Sequence, residues 1–164
     1  MLRSAAPAEQ RDALRGTLWA KSAHRGGRHV RPHFRHELAS ALALAGIDGD
    51  GTEPEDDLVR YLVAAHHGRV RLSIRPAPDE QVPREMPEGS RFALGVVEGD
   101  ELPTLQTPVG DRGPRRLELA EMELGGGGGR SWVTLACGLR DAHGPFALAY
   151  LEALVRIADW RASA

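Results

Sequence analysis

The tandem His66-His67, followed by Gly68, closes an apolar segment, Leu58-Val59-Arg60-Tyr61-Leu62-Val63-Ala64-Ala65. That segment has helical patterning. Neighbours on a helix are about 100° apart, so two adjacent imidazoles there point in different directions. Such a pair would serve two ions, or one ion and one substrate phosphate. Another histidine, His36, lies in a second segment of small and apolar residues. The chain has 1 cysteine. Imidazoles without thiolates suit a metal site of hydrolytic type, with nitrogen and oxygen donors. Ions held there lower the pKa of a water and neutralise charge on phosphate oxygens. Asp159 offers the carboxylate. His36, His66, His67 and Asp159 are the candidate ligands. They sit on three separate segments, which a helical bundle can bring together.

The elements that must position these residues are mostly helical. Pro32 is placed to open a helix. Phe34, Leu38, Ala41, Leu42 and Ala45 form its apolar stripe, and Gly46 ends it. His36, Ala39, Ser40 and Ala43 occupy the opposite side, so this helix should be buried nearly all round. Asp48-Gly49-Asp50-Gly51 lacks the glycine and the bidentate glutamate of a calcium loop. It reads as a turn leading to a capping box, with Thr52 as N-cap and Glu55 three residues on. The next helix runs to His66 or His67, with Gly68 as a left-handed stop.

The middle of the chain changes period. Val70 to Ile74 alternates and reads as a strand. Prolines 76, 78, 83 and 87 make 76–90 a loop. Phe92 to Val97, a turn at Glu98-Gly99-Asp100, and Glu101 to Leu105 read as a hairpin. Leu117 to Leu124 reads as a further strand. Residues 70–124 are therefore expected to be a small β insertion. The five glycines 125–129 lack the lysine of a phosphate-binding loop and read as a linker. Ser131 caps a helix to Arg140. Gly144-Pro145 starts the last helix, Phe146 to Trp160. Glu152, Arg156 and Asp159 share one stripe of it, with Glu152 and Arg156 spaced as an i, i+4 ion pair. Either all three face water, or Asp159 points into a metal cluster braced by the other two.

A length of 164 residues fits one domain, 1–164. The apolar fraction of 41% and charged fraction of 27% are ordinary for a globular chain. A net charge of −2 gives no global attraction to nucleic acid or anionic membrane. Any DNA contact must come from local patches, such as the basic, Gly-containing run within 1–30 and just beyond, His24 to Arg31, although a solvated loop explains that run too. A short helix at Arg11 to Leu18 fits the weak pattern there. The single cysteine, Cys137, reads as a small core residue and suits a reducing cytoplasm. No apolar leader is visible, and the run Phe146 to Ala158 is too short and too charged to span a bilayer.

Three stretches carry a resemblance to a family. Phe34-Arg35-His36-Glu37-Leu38-Ala39-Ser40, Tyr61 to Arg69 with its His66-His67-Gly68, and Leu148 to Ser163 with Asp159 resemble the HD nuclease domain of the CRISPR-associated helicase-nuclease of type I systems, in its type I-G (formerly I-U) flavour. The resemblance runs from about Lys21 to the C-terminus. It implies a mainly α, HD-phosphohydrolase-like helical bundle, and the β-hairpin insertion fits it. It implies metal-dependent cleavage of single-stranded DNA, in a cytoplasmic setting, with a helicase domain or CRISPR effector complex as partner. It also implies that His36 is the lone metal-site histidine, His66 and His67 the paired ones, and Asp159 the closing aspartate. Arg35 and Arg69 would steady substrate phosphates. Manganese, iron, nickel, cobalt and magnesium are all compatible ions. The family's His-Asp dyad is missing, since no His-Asp dipeptide occurs in the chain. The chain thus matches the C-terminal part of such a domain: a truncated or split piece, or a degenerate copy. Half a metal shell binds weakly, so metal binding or nuclease activity is expected only when the missing half is supplied. The other reading is a non-catalytic module that docks on a helicase or effector complex.

Overall fold

Leu38, Leu42, Tyr61 and Trp132 are nearly inaccessible to solvent, and the described helices gather around them. The computed structural model describes residues 31, 33–45, 54–83, 86–107, 110–112, 114–124 and 130–162. The readings at Arg11 to Leu18, His24 to Val30, Pro32, Gly46 to Thr52 and the five glycines lie outside them. The described helices are α1 (His36–Ala45), α2 (Pro54–Ala65), α3 (Trp132–His143) and α4 (Pro145–Arg161). Helix dominates, with two small antiparallel hairpins between α2 and α3.

Helix α1 packs mainly on α2. Ala41, Ala64 and Ala65 are at most 1% exposed, and their small side chains let the two backbones approach. The helix is not buried all round: His36 and Ser40 are exposed, while Glu37, Leu38 and Ala39 are buried. Its described turns begin at His36, after non-helical Phe34 and Arg35. Tyr61 of α2 stacks on Trp132 of α3, with ring centroids 6.5 Å apart. The Trp132 indole N–H donates to the Arg71 carbonyl at 3.0 Å. Arg60 is buried; it donates to Glu121 at 2.6 Å and lies over the Trp132 ring at 5.9 Å. Ser131 caps α3 as expected, accepting from the Thr134 N–H. Pro145 opens α4.

The expected hairpin turn is displaced. β1 (Phe92–Ala93) pairs with β2 (Val96–Val97) around Leu94-Gly95. Both of these residues have positive φ, 53° and 74°, which is a type I′ geometry. Glu80 holds the turn by accepting from the Leu94 and Gly95 N–H groups at 2.8 and 2.6 Å. Gly99 does make a turn, but it joins β2 to a second hairpin. In that hairpin β3 (Glu101–Leu102) pairs with β6 (Arg115–Arg116), and β4 (Leu105–Thr107) with β5 (Gly110–Arg112), in one common register. Pro103 falls opposite Pro114 in that register. Neither can donate to the ladder, so it breaks there.

Two expected strands do not form. Val70 and Ile74 are buried, but Leu72 between them is 59% exposed, so burial recurs every four residues and no ladder partner is present. Leu117 and Leu119 do alternate inward, and Leu117 extends the second hairpin through hydrogen bonds with Gly99 and Asp100. A 3₁₀ turn, Ala120–Met122, then ends the extended run. Cys137 is half-buried and free, not a core residue. No described helix is long and apolar enough to cross a membrane.

The first hairpin positions the start of α1. The Arg35 N–H donates to the Leu94 carbonyl at 2.8 Å. Gly95 sits so close that an added Cβ would lie 2.3 Å from the Phe34 Cα. Only glycine permits both that approach and the positive φ. His36 is the second residue beyond this contact.

Candidate metal centre

The three histidines converge. One ligand atom from each of His36, His66 and His67 lies within 4.8 Å of the others. Ring centroids are 5.6 Å apart for His36 and His66, 5.0 Å for His36 and His67, and 4.1 Å for His66 and His67. The expectation that adjacent imidazoles diverge is therefore corrected. Helix α2 ends at Ala65, short of the expected His66 or His67, while Gly68 takes the expected left-handed φ, 77°. The His66 N–H still donates to the Leu62 carbonyl. His67 lies in the turn beyond, where the helical 100° rule no longer applies, and its ring returns toward His66.

The His66 tautomer is fixed by its surroundings. Its Nδ1 lies 2.6 Å from the Val63 carbonyl oxygen, which can only accept. Nδ1 therefore carries the proton, and Nε2 keeps a lone pair for an ion. Burial, chiefly, lowers the His67 pKa below its ordinary value, and the His66 ring adds to this. Glu37 and Asp159 oppose the shift. A neutral imidazole is the form that binds metal.

Asp159 is half-buried on α4 and close enough to act electrostatically on His67. The group that converges within 4.8 Å, among the described residues, consists of the histidines alone. Glu152 and Arg156, the two residues expected to pair on the same stripe, part company. Glu152 is buried; it accepts from the Tyr61 hydroxyl and from Arg71, each at 2.8 Å. Arg156 is exposed and lies over the Trp160 ring, 4.9 Å from its centroid. Glu152 is thus a cross-helix anchor and not a solvent-facing partner of Arg156.

A cleft of about 390 Å³ opens beside His66. Tyr61, Arg71, Arg140, Glu152 and Arg156 supply its polar groups. Arg71 is paired with Glu152 and Arg140 with Asp141, and with Arg156 the three guanidiniums still make the cleft attractive to phosphate. Arg35 and Arg69, the arginines expected at the substrate, are not among its lining. Arg35 is half-buried at the head of α1 and Arg69 is exposed beyond Gly68. Arg71 and Arg140 were missed as cleft residues because they come from separate places in the chain. In the sequence Arg156 reads only as a brace for Asp159 or a solvent-facing partner of Glu152.

The Tyr61 hydroxyl gives a direct test of this geometry. Burial and the Glu152 carboxylate push its pKa up to about 12. A Tyr150→Phe variant leaves Tyr61 as the one remaining tyrosine, since the chain has 2. Its phenolate absorbance should rise with a midpoint near 12. Adding Glu152→Gln should lower that midpoint. The fold disfavours the phenolate, so Tyr61 contributes stability below the unfolded pKa of about 10, and this is lost as pH rises above it.

No family model, curated protein or solved structure matches this chain.

Proposed function

We propose that this chain is part of a metal-dependent HD-type nuclease that cleaves single-stranded DNA in CRISPR type I interference. The observation that carries the reading is the meeting of three imidazoles at the edge of an arginine-lined cleft. His36, His66 and His67 would hold the ion, and Asp159 would add negative charge beside it. The donor set fits a divalent transition metal poised for hydrolysis, with iron, nickel and cobalt better matched to imidazole than manganese or magnesium, which lean on oxygen donors such as Asp159. When bound, such an ion supplies Lewis acidity toward a phosphoryl oxygen and toward water. The protein's own residues orient the strand. Arg71, Arg140 and Arg156 attract and align the phosphodiester. The exposed rings of Tyr150 and Trp160 on α4 offer faces on which unpaired bases can stack. The His-Asp dyad would come from another segment or polypeptide, in an assembly with a helicase domain or effector complex.

The test combines Mn²⁺ titration calorimetry with cleavage of single-stranded DNA, both on the whole assembly. Arg71→Ala with Arg156→Ala should raise KM for DNA about tenfold or more, a loss of at least ~1.4 kcal/mol, with metal affinity unchanged. Undiminished cleavage by an assembly carrying His66→Ala and His67→Ala rejects the reading.

A second reading, a non-catalytic docking module, has one observation in its favour. Phe146, Tyr150, Leu154, Ile157 and Trp160 form an exposed apolar stripe along α4. A chain that binds no metal even with the missing half supplied, but is retained by a helicase or effector subunit through this stripe, would support it.

A further inference from the structure

Glu37 follows His36 on α1, and its side chain is 0% exposed. Among the described residues, neither of its carboxyl oxygens has a hydrogen-bond partner. An unsatisfied buried carboxyl group is costly, and folds rarely retain one without a use. Its Oε2 lies 3.6 Å from the Nδ1 of His36, just beyond hydrogen-bonding range. It also acts electrostatically on His67. Yet it is not one of the groups that converge within 4.8 Å. It stands behind the histidines and not among them.

We infer that Glu37 is the positioning residue of the metal centre, accepting the Nδ1–H of His36 so that its Nε2 lone pair faces the ion. This rests on the reading of the three histidines as a metal site. The neighbouring ligand already shows the same arrangement, with the Val63 carbonyl fixing the proton on Nδ1 of His66. A metal-binding imidazole characteristically gives its second nitrogen to a carboxylate or carbonyl. The pairing has a second benefit. Three neutral imidazoles leave a divalent charge uncompensated, and Glu37 supplies a buried negative group directly behind them. The inference requires the His36 ring, with 58% of its side chain exposed, to turn toward Glu37 and close the remaining gap.

The test uses Mn²⁺ calorimetry on the wild-type chain and on Glu37→Gln, each supplied with the missing half, with nitrogen-15 NMR of the histidine rings in the absence of metal. The glutamine fills the same volume. Its Mn²⁺ affinity should be weaker by about 10–100-fold, the usual cost of losing such a partner. The His36 ring should carry its proton on Nδ1 in the wild type and lose that preference in the variant. His66, held by Val63, should not change. A purely structural glutamate would alter melting temperature and leave the tautomer alone. If the wild type binds Mn²⁺ and the variant matches it within twofold, the role of Glu37 is refuted while the metal site stands. If the wild type binds no metal even with the missing half supplied, the parent reading fails and takes this one with it. Should the variant not fold, the wild-type tautomer decides: a proton on Nε2 of His36 refutes the assignment.

Discussion

Replacing His66 or His67 by alanine is expected to abolish measurable Mn²⁺ binding. The loss should exceed the ~10–100-fold that removal of an outer partner costs, because a coordinating nitrogen itself is gone. Calorimetry on the two single variants checks this. The two should not be equivalent in their side effects. His66 ties its ring to the Val63 carbonyl and lines the arginine cleft. His66→Ala should therefore also weaken DNA binding. The His67 ring is shifted toward the neutral form by burial, and no cleft contact depends on it. His67→Ala should leave DNA affinity in metal-free buffer unchanged. Equal Mn²⁺ affinity in wild type and either variant would remove the histidine cluster from the functional account.

The contrast between these two histidines shows what a linear sequence can and cannot carry. Residue types are legible: two imidazoles in tandem, a third on a small-residue helix, and one cysteine point to a nitrogen-rich site. The stop signal at Gly68 is legible too. Its consequence for ring directions is not, because that depends on where helical backbone gives way to turn. One residue of shift converts diverging side chains into converging ones. The same limit governs Glu152. Helical spacing offers it only Arg156, whereas its real partners, Tyr61 and Arg71, are brought to it by the packing of α4 on α2. Period-two patterning likewise found inward and outward positions at Leu117 and Leu119. It could not tell a ladder from an extended loop, since a strand is defined by a partner that the local pattern does not contain. Glu37 was legible only as a polar residue on an apolar helix. Its burial without a hydrogen bond is a property of the fold.

The glycine that sets His36 in place makes the largest stability prediction. Gly95→Ala would add a Cβ 2.3 Å from the Phe34 Cα, 2.4 Å from the Phe34 nitrogen and 2.9 Å from the His33 carbonyl carbon. All three are backbone atoms, so no side-chain rotation can relieve the clash. Overpacking of this kind costs ~1–3 kcal/mol, and the positive φ of 74° adds backbone strain. The sum should be about 3–5 kcal/mol, which lowers Tm by roughly 10 °C for a chain of this size. Gly89→Ala is the control. Its φ is 80°, yet a Cβ there meets nothing within 4 Å. It should cost only about 1–2 kcal/mol, the backbone penalty alone. The difference between the two variants isolates the contact between hairpin and helix. That contact also carries the Arg35 to Leu94 hydrogen bond, one residue before His36. If Gly95→Ala still folds at low temperature, its Mn²⁺ affinity should fall as well, because the head of α1 can no longer seat against the turn. Thermal melts that rank the two variants equally would mean that the hairpin does not brace the metal centre.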